Sequence, residues 1–130
     1  MMTSFTHIAV GTNDVERARK FYDVVLATLG WIRLADLGDG GSMWGDGRPS
    51  LMVALPRDGK PATVGNGVTI SFEASSHAAV DAFHSAALAL GSPDEGSVGP
   101  RQWAPNALAG YTRDPDGNKL AVYYLGLERL

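Results

Sequence analysis

The chain repeats itself once, and this repeat restricts its fold more than any other feature. Setting residues 5–30 beside residues 67–91 places His7 against Thr69, an offset of 69 − 7 = 62. At that offset Ile8 meets Ile70, Val10 meets Phe72, Phe21 meets Phe83 and Leu26 meets Leu88. Asn13 and Asp14 meet Ser75 and Ser76, so both copies offer a helix-capping oxygen at the same point. Each copy leaves on a glycine, Gly30 and Gly91, the second after dropping one residue. Identity between the copies is low, but matched caps, apolar positions and exit glycines point to a duplicated module.

Each copy reads as a strand followed by a helix. Over residues 5–10 the side chains alternate, with Ile8 and Val10 on one side and His7 and Ala9 on the other. After Asn13 or Asp14, the residues Val15, Ala18, Phe21, Tyr22, Val25, Leu26 and Leu29 form one apolar helical stripe. Val80, Phe83, Ala87 and Leu90 repeat it. The bulky strand residues Ile8, Val10, Ile70 and Phe72 are expected against the helices, which turns His7 and Thr69 the other way.

Shorter strands follow each helix, over 31–37, 42–45 and 50–55 in the first copy and 99–103, 109–113 and 119–124 in the second. Asp46-Gly47 and Asp116-Gly117 mark hairpin turns, since glycine accepts positive φ and aspartate bonds its own backbone. The expected organisation is one domain over residues 1–130: module one about 5–56, a linker over 57–66, and module two about 67–126. The fold class is α+β, with two βαβββ modules.

Composition narrows the function. With 45% hydrophobic and 19% charged residues, the chain is ordinary for a globular protein. It has no cysteine, which excludes disulfides, thiolate metal sites and cysteine nucleophiles. A formal charge of −3 argues against a nucleic-acid partner. Neither a leader pattern nor a membrane-length apolar run stands out, so a cytoplasmic protein away from membranes is expected. The glycine-rich stretch over 38–47 lacks a Walker lysine, and no Gly-x-Ser-x-Gly elbow occurs.

The repeat, the opening Thr6-His7-Ile8-Ala9-Val10, the Phe21-Tyr22 pair and the closing Asp114-Pro115-Asp116-Gly117-Asn118-Lys119 together resemble the vicinal oxygen chelate superfamily, the glyoxalase, bleomycin-resistance and extradiol-dioxygenase group. The similarity runs from Phe5 to about Tyr124. It implies two modules whose sheets curl into a partly open barrel around a central cleft, and a homodimer. In metal-using relatives four strand positions hold one divalent ion. Matched one at a time, these positions fall on His7, on Thr69, on Ala121, and on Leu51 or Met52. His7 alone is a competent ligand of the usual kind. No metal and no other cofactor is therefore expected.

Other residues carry two readings each. His7 is either a structural histidine or a ligand-contacting or acid/base group. Trp44, Trp103, Tyr111 and Tyr123 sit in the short strands, where they either fill the interior or line a ligand cleft. Arg113 shares a face with Tyr111 and can meet an anion. His77 and His84, seven apart on the second helix, are too distant for shared ligation and are expected solvent-facing or partly packed. Asp114 and Asp116 read as turn chemistry rather than paired catalytic acids. The candidate ligand-binding set is His7, Trp44, Met52, Thr69, Trp103, Tyr111, Arg113 and Tyr123. The leading expectation is a protein that binds a small organic molecule in its cleft without a tightly held metal. Two rivals stand beside it: a divalent-metal-dependent glyoxalase-like lyase or isomerase using His7, and a domain kept for protein association.

Overall fold

A computed structural model describes residues 4–126. The first module runs β1 (Ile8–Gly11), α1 (Val15–Ala27), β2 (Ile32–Asp36), β3 (Gly41–Gly45) and β4 (Pro49–Ala54), with a single 3-10 turn at Gly38–Gly40. The second runs β5 (Ile70–Glu73), α2 (His77–Ala89), β6 (Gly96–Arg101), β7 (Ala104–Arg113) and β8 (Lys119–Tyr124). Each module makes a four-stranded sheet of the same order, β1-β4-β3-β2 and β5-β8-β7-β6, and neither sheet closes. In each, the first strand lies parallel to the last and the remaining pairs are antiparallel.

The duplication extends into the details. Asp14 caps α1 by accepting from the Arg17 amide at 3.0 Å, and Ser76 caps α2 by accepting from the Ala79 amide at 3.1 Å. Both helices end on a left-handed glycine, Gly30 at φ 80° and Gly91 at φ 97°. The next residue then reaches back over the last turn, Trp31 N–H to the Leu26 carbonyl and Ser92 N–H to the Ala87 carbonyl, both at 3.1 Å. This is one closure used twice, and it needs glycine because an L side chain resists positive φ. Ile8 pairs with Leu51 as Ile70 pairs with Leu120, so the offset grows from 70 − 8 = 62 to 120 − 51 = 69 by the last strand. Most of the extra length lies in β7, which has 10 residues where β3 has 5.

One core joins the modules. Phe21, Tyr22, Val25 and Leu26 of α1 and Val80, Phe83 and Ala87 of α2 bury against Leu51, Val53, Ile70, Phe72, Leu120 and Val122. Burying a large apolar side chain contributes about 1.5–3 kcal/mol. Ile70 and Phe72 pack on the helices as expected. Ile8 is instead 40% exposed, because β1 begins only there and its first side chain lies at the rim.

Strand boundaries differ from the sequence reading at β1, which starts at Ile8 rather than at 5, and in the second module. β6 starts at Gly96 rather than at 99, and β7 at Ala104 rather than at 109. Glycines and prolines over 96–105 suggest a loop. However, β6 is an edge strand, where the missing amide hydrogen of Pro100 need not cost a ladder bond. Trp103 consequently stands in the β6–β7 turn, 66% exposed, rather than inside a strand.

Candidate functional site

Strand alternation decides which side chains face away from the helices. Leu51, Val53, Leu120 and Val122 point at α1 and α2, so their neighbours Met52, Ala121 and Tyr123 occupy the opposite, concave face. On β5, the core residues Ile70 and Phe72 leave Ser71 and Glu73 on that same face, and Thr69 continues the series. Cross-strand partners share a face, which adds Met43 opposite Met52, Tyr111 opposite Ala121, Ala109 opposite Tyr123, and Arg113 opposite Lys119.

The same parity corrects the position of Trp44. It pairs with Leu51, so it lies on the helix side. There it is 1% exposed, sits 5.5 Å from the Tyr22 ring, and donates its indole N–H to Asp23 at 2.9 Å. Trp44 is a core residue and leaves the candidate set.

Three hollows lie around β5 and its neighbours. One of about 380 Å³ is lined by Ser71, Phe72, Glu73, Trp103, Tyr123 and Leu125. A second, about 350 Å³, shares Ser71, Phe72 and Glu73 with it; His7, Trp31 and Ser50 line it together with the core-side residues Leu51 and Ile70. A third, about 450 Å³, is formed by the 64–69 segment with Arg113 and Lys119. His7 and Thr69, matched by the repeat, thus line separate hollows. His7 lies beside Trp31 and reaches the Trp103–Tyr123 hollow through the shared β5 wall.

Aromatic rings dominate the first hollow. Trp103 lies 5.5 Å from Tyr123 at an interplanar angle of 39°. Tyr123 meets Tyr111 nearly edge-on, with their hydroxyls in contact. Burial and the Tyr111 hydroxyl push the Tyr123 phenol up to about 12, against the pull of Arg101. At neutral pH Tyr123 therefore carries its proton and serves as a hydrogen-bonding group, not a base. Arg101 and Lys119 flank the Tyr111 ring at 5.1 and 5.4 Å.

Arg113 is held more firmly than its sequence position suggests. It bonds Glu95 through Nε and the Gly117 carbonyl through Nη1 at 2.8 Å. His84 is buried under β7, its Nε2 3.1 Å from the Tyr111 carbonyl and 3.2 Å from Asp94 Oδ1, while His77 stands edge-on to Tyr124. Ser71, Glu73 and Lys119 were absent from the sequence-derived set. The alternation of Thr69, Ser71 and Glu73 against Ile70 and Phe72 was the signal that points to the first two.

The strand register also decides between Leu51 and Met52 as the residue matched to Ala121. Met52 pairs with Ala9 as Ala121 pairs with Ser71, so Met52 rather than Leu51 is the counterpart of Ala121. The set is His7, Met52, Thr69 and Ala121: one imidazole, a thioether, a hydroxyl and a methyl. Such donors do not fit a hard or borderline divalent ion. Among the described residues, no group of three or more His, Cys, Asp or Glu is placed to hold one.

Two βαβββ modules with open sheets and a ligand-sized concave face define a recognisable class. The sequence matches the Glyoxalase/Bleomycin resistance protein/Dioxygenase superfamily over residues 4–122, and the chain belongs to that family. A glyoxalase/bleomycin resistance protein from Albidiferax ferrireducens T118 is 37% identical, with a TM-score of 0.85 over 94% of this chain and 98% of that one. A lactoylglutathione lyase from Agrobacterium tumefaciens is 22% identical, with a TM-score of 0.67 over 95% of each chain. A glyoxalase-related enzyme from Fulvimarina pelagi is 18% identical, with a TM-score of 0.73 over 95% of this chain and 88% of that one. The last two likenesses concern the fold alone. No curated protein matches the sequence. Among the described residues no helix is long and apolar enough to cross a membrane.

Proposed function

We propose that this protein binds a small, flat organic molecule on the concave face of its second sheet, without a tightly held metal. The observation that carries this reading is the Trp103–Tyr123 pair, which walls a hollow of about 380 Å³ beside Ser71 and Glu73. That volume and lining suit a small ligand: apolar rings supply contact area, and a few polar groups fix orientation. The donor set His7, Met52, Thr69 and Ala121 supports the metal-free half of the proposal. The lyase or isomerase reading requires ligands from elsewhere, and Glu73, which lines the second hollow with His7, supplies only one more.

A homodimer belongs to the same proposal. Phe5, Ile8, Ile32 and Leu125 are exposed apolar side chains, and both sheets end in open edge strands. A second copy is the economical cover for them.

The binding reading is tested with a neutral aromatic probe, phenylnaphthylamine, followed by tryptophan fluorescence. The native protein should show saturable quenching, and Trp103→Phe should lose most of it. Quenching that is unchanged in Trp103→Phe, or absent from the native protein, rejects the site.

A further inference from the structure

We infer that the ligand is an aromatic anion, its acidic group seated in the basic hollow formed by Lys119, Arg113 and the 64–69 segment. The inference rests on the binding reading above and adds the chemistry of the ligand's other end.

The concave face of the second sheet is graded from end to end. Lys119, Ala121 and Tyr123 alternate along β8 on that face, with Arg113, Tyr111 and Ala109 as their cross-strand partners. The order is therefore basic pair, tyrosine over an alanine floor, then tyrosine with Trp103 beyond it. Four residue steps along the strand carry Lys119 to Tyr123, about 13 Å. A molecule of two or three fused or linked rings spans from the stacking surface to the lysine.

The basic end is a concavity, not a chance surface charge. Its volume is about 450 Å³, and its lining side chains are apolar, amide, hydroxyl or basic. It occurs on a chain whose formal charge is −3, so it runs against the overall balance. Gly65 and Gly67 keep the wall low beside Thr69, and Gly67 takes φ 91°. Lys119 is half-buried, with Nζ 5.4 Å from the Tyr111 ring centroid, so the ring holds the ammonium near the aromatic strip. Arg113 is paired with Glu95 and held by the Gly117 carbonyl, so its charge is largely balanced and Lys119 is the cation that meets the ligand. A carboxylate, sulfonate or phosphate on the ligand provides the matching charge.

The test uses two matched dyes, anilinonaphthalene sulfonate and its uncharged counterpart phenylnaphthylamine, titrated into the native protein, Lys119→Gln and Lys119→Arg. The anionic dye should bind native protein about tenfold or more tightly than the neutral one, as a charge-assisted hydrogen bond allows. Lys119→Gln should remove that advantage, and Lys119→Arg should keep it. Equal affinities in the native protein, or an advantage that survives Lys119→Gln, overturn the inference. Failure of both dyes to bind counts against the aromatic site itself. In that event, inorganic phosphate titrated by amide NMR decides the basic hollow alone. Shifts at Gly67 and Thr69 that vanish in Lys119→Gln support it, and their absence from the native protein overturns it.

Discussion

Tyr22 of α1 donates its hydroxyl hydrogen to Asp114 Oδ2 at 2.6 Å, across the whole separation between the first module's helix and the second module's last hairpin. Around it, Asp116 accepts from the Thr12 hydroxyl at 2.6 Å, the Asn13 amide at 2.9 Å and the Arg17 guanidinium at 2.9 Å. Asn118 returns a bond to the Gly11 carbonyl at 3.1 Å. The Asp-Pro-Asp-Gly-Asn turn is thus a clasp between modules. Tyr22→Phe keeps the ring in the core and removes one buried bond. It should cost about 1–3 kcal/mol in urea unfolding, the range for a buried acceptor losing its donor. No change in the urea midpoint would show that the clasp is idle.

Asp114 also gives the clasp a pH dependence. Burial pushes its carboxyl above the ordinary 3.8, against hydrogen bonds from Tyr22 and Asn118 that pull it down. The native state thus takes up this proton more readily than the unfolded chain. Its stabilising contribution is full below 3.8 and is lost as pH rises through the raised native value. Asp36 and Asp94 are shifted downward, foremost by Ser42 and Ser97, and act in the opposite direction, but equally in a variant that keeps them. The stability of native protein minus that of Asp114→Asn should therefore fall with rising pH above 3.8 and then level off. Urea melts across that range check it; a rising difference contradicts it.

Trp44 and Trp103 should separate stability from binding. Trp44→Phe leaves a gap under α1 and removes the bond to Asp23, at a cost of about 1–3 kcal/mol. Affinity for phenylnaphthylamine should stay within a factor of about two, since the residue is 1% exposed on the helix side. Trp103→Phe, at a position 66% exposed, should show the reverse: near-native stability and weakened binding. Unfolding curves and dye titrations on both variants decide the matter.

The contrast between these tryptophans shows what was legible in the sequence. The 62-residue offset, the two capping points and the exit glycines are readable, because they are local and repeat; the structure selects Asp14 over Asn13. The side on which Trp44 lies is not readable, since it depends on pairing with Leu51 across a hairpin whose register has an irregularity between Trp44 and Gly45. The clasp was read as a turn, correctly as far as local chemistry goes. Its partners Thr12 and Arg17 stand roughly a hundred residues away, 104 and 99, beyond any local pattern. Ser71 and Glu73 are hard to read from sequence because a short strand with two polar residues carries little signal until its apolar face is located.

Sedimentation at micromolar concentration should find a dimer. Changing Ile32 and Leu125, both exposed and apolar, to lysine should shift it toward monomer while leaving the fold intact by circular dichroism. A native monomer, or a dimer indifferent to both changes, places the interface elsewhere or removes it.

Metal-independent binding is tested most directly by titrating phenylnaphthylamine into the native protein before and after exhaustive dialysis against a chelator, with tryptophan fluorescence as the readout. The expected result is saturable binding with the same dissociation constant in both, because His7, Met52, Thr69 and Ala121 offer one imidazole where a divalent site needs about three protein ligands. Binding that disappears on chelation and returns with zinc or nickel would contradict this, as would no binding in either sample.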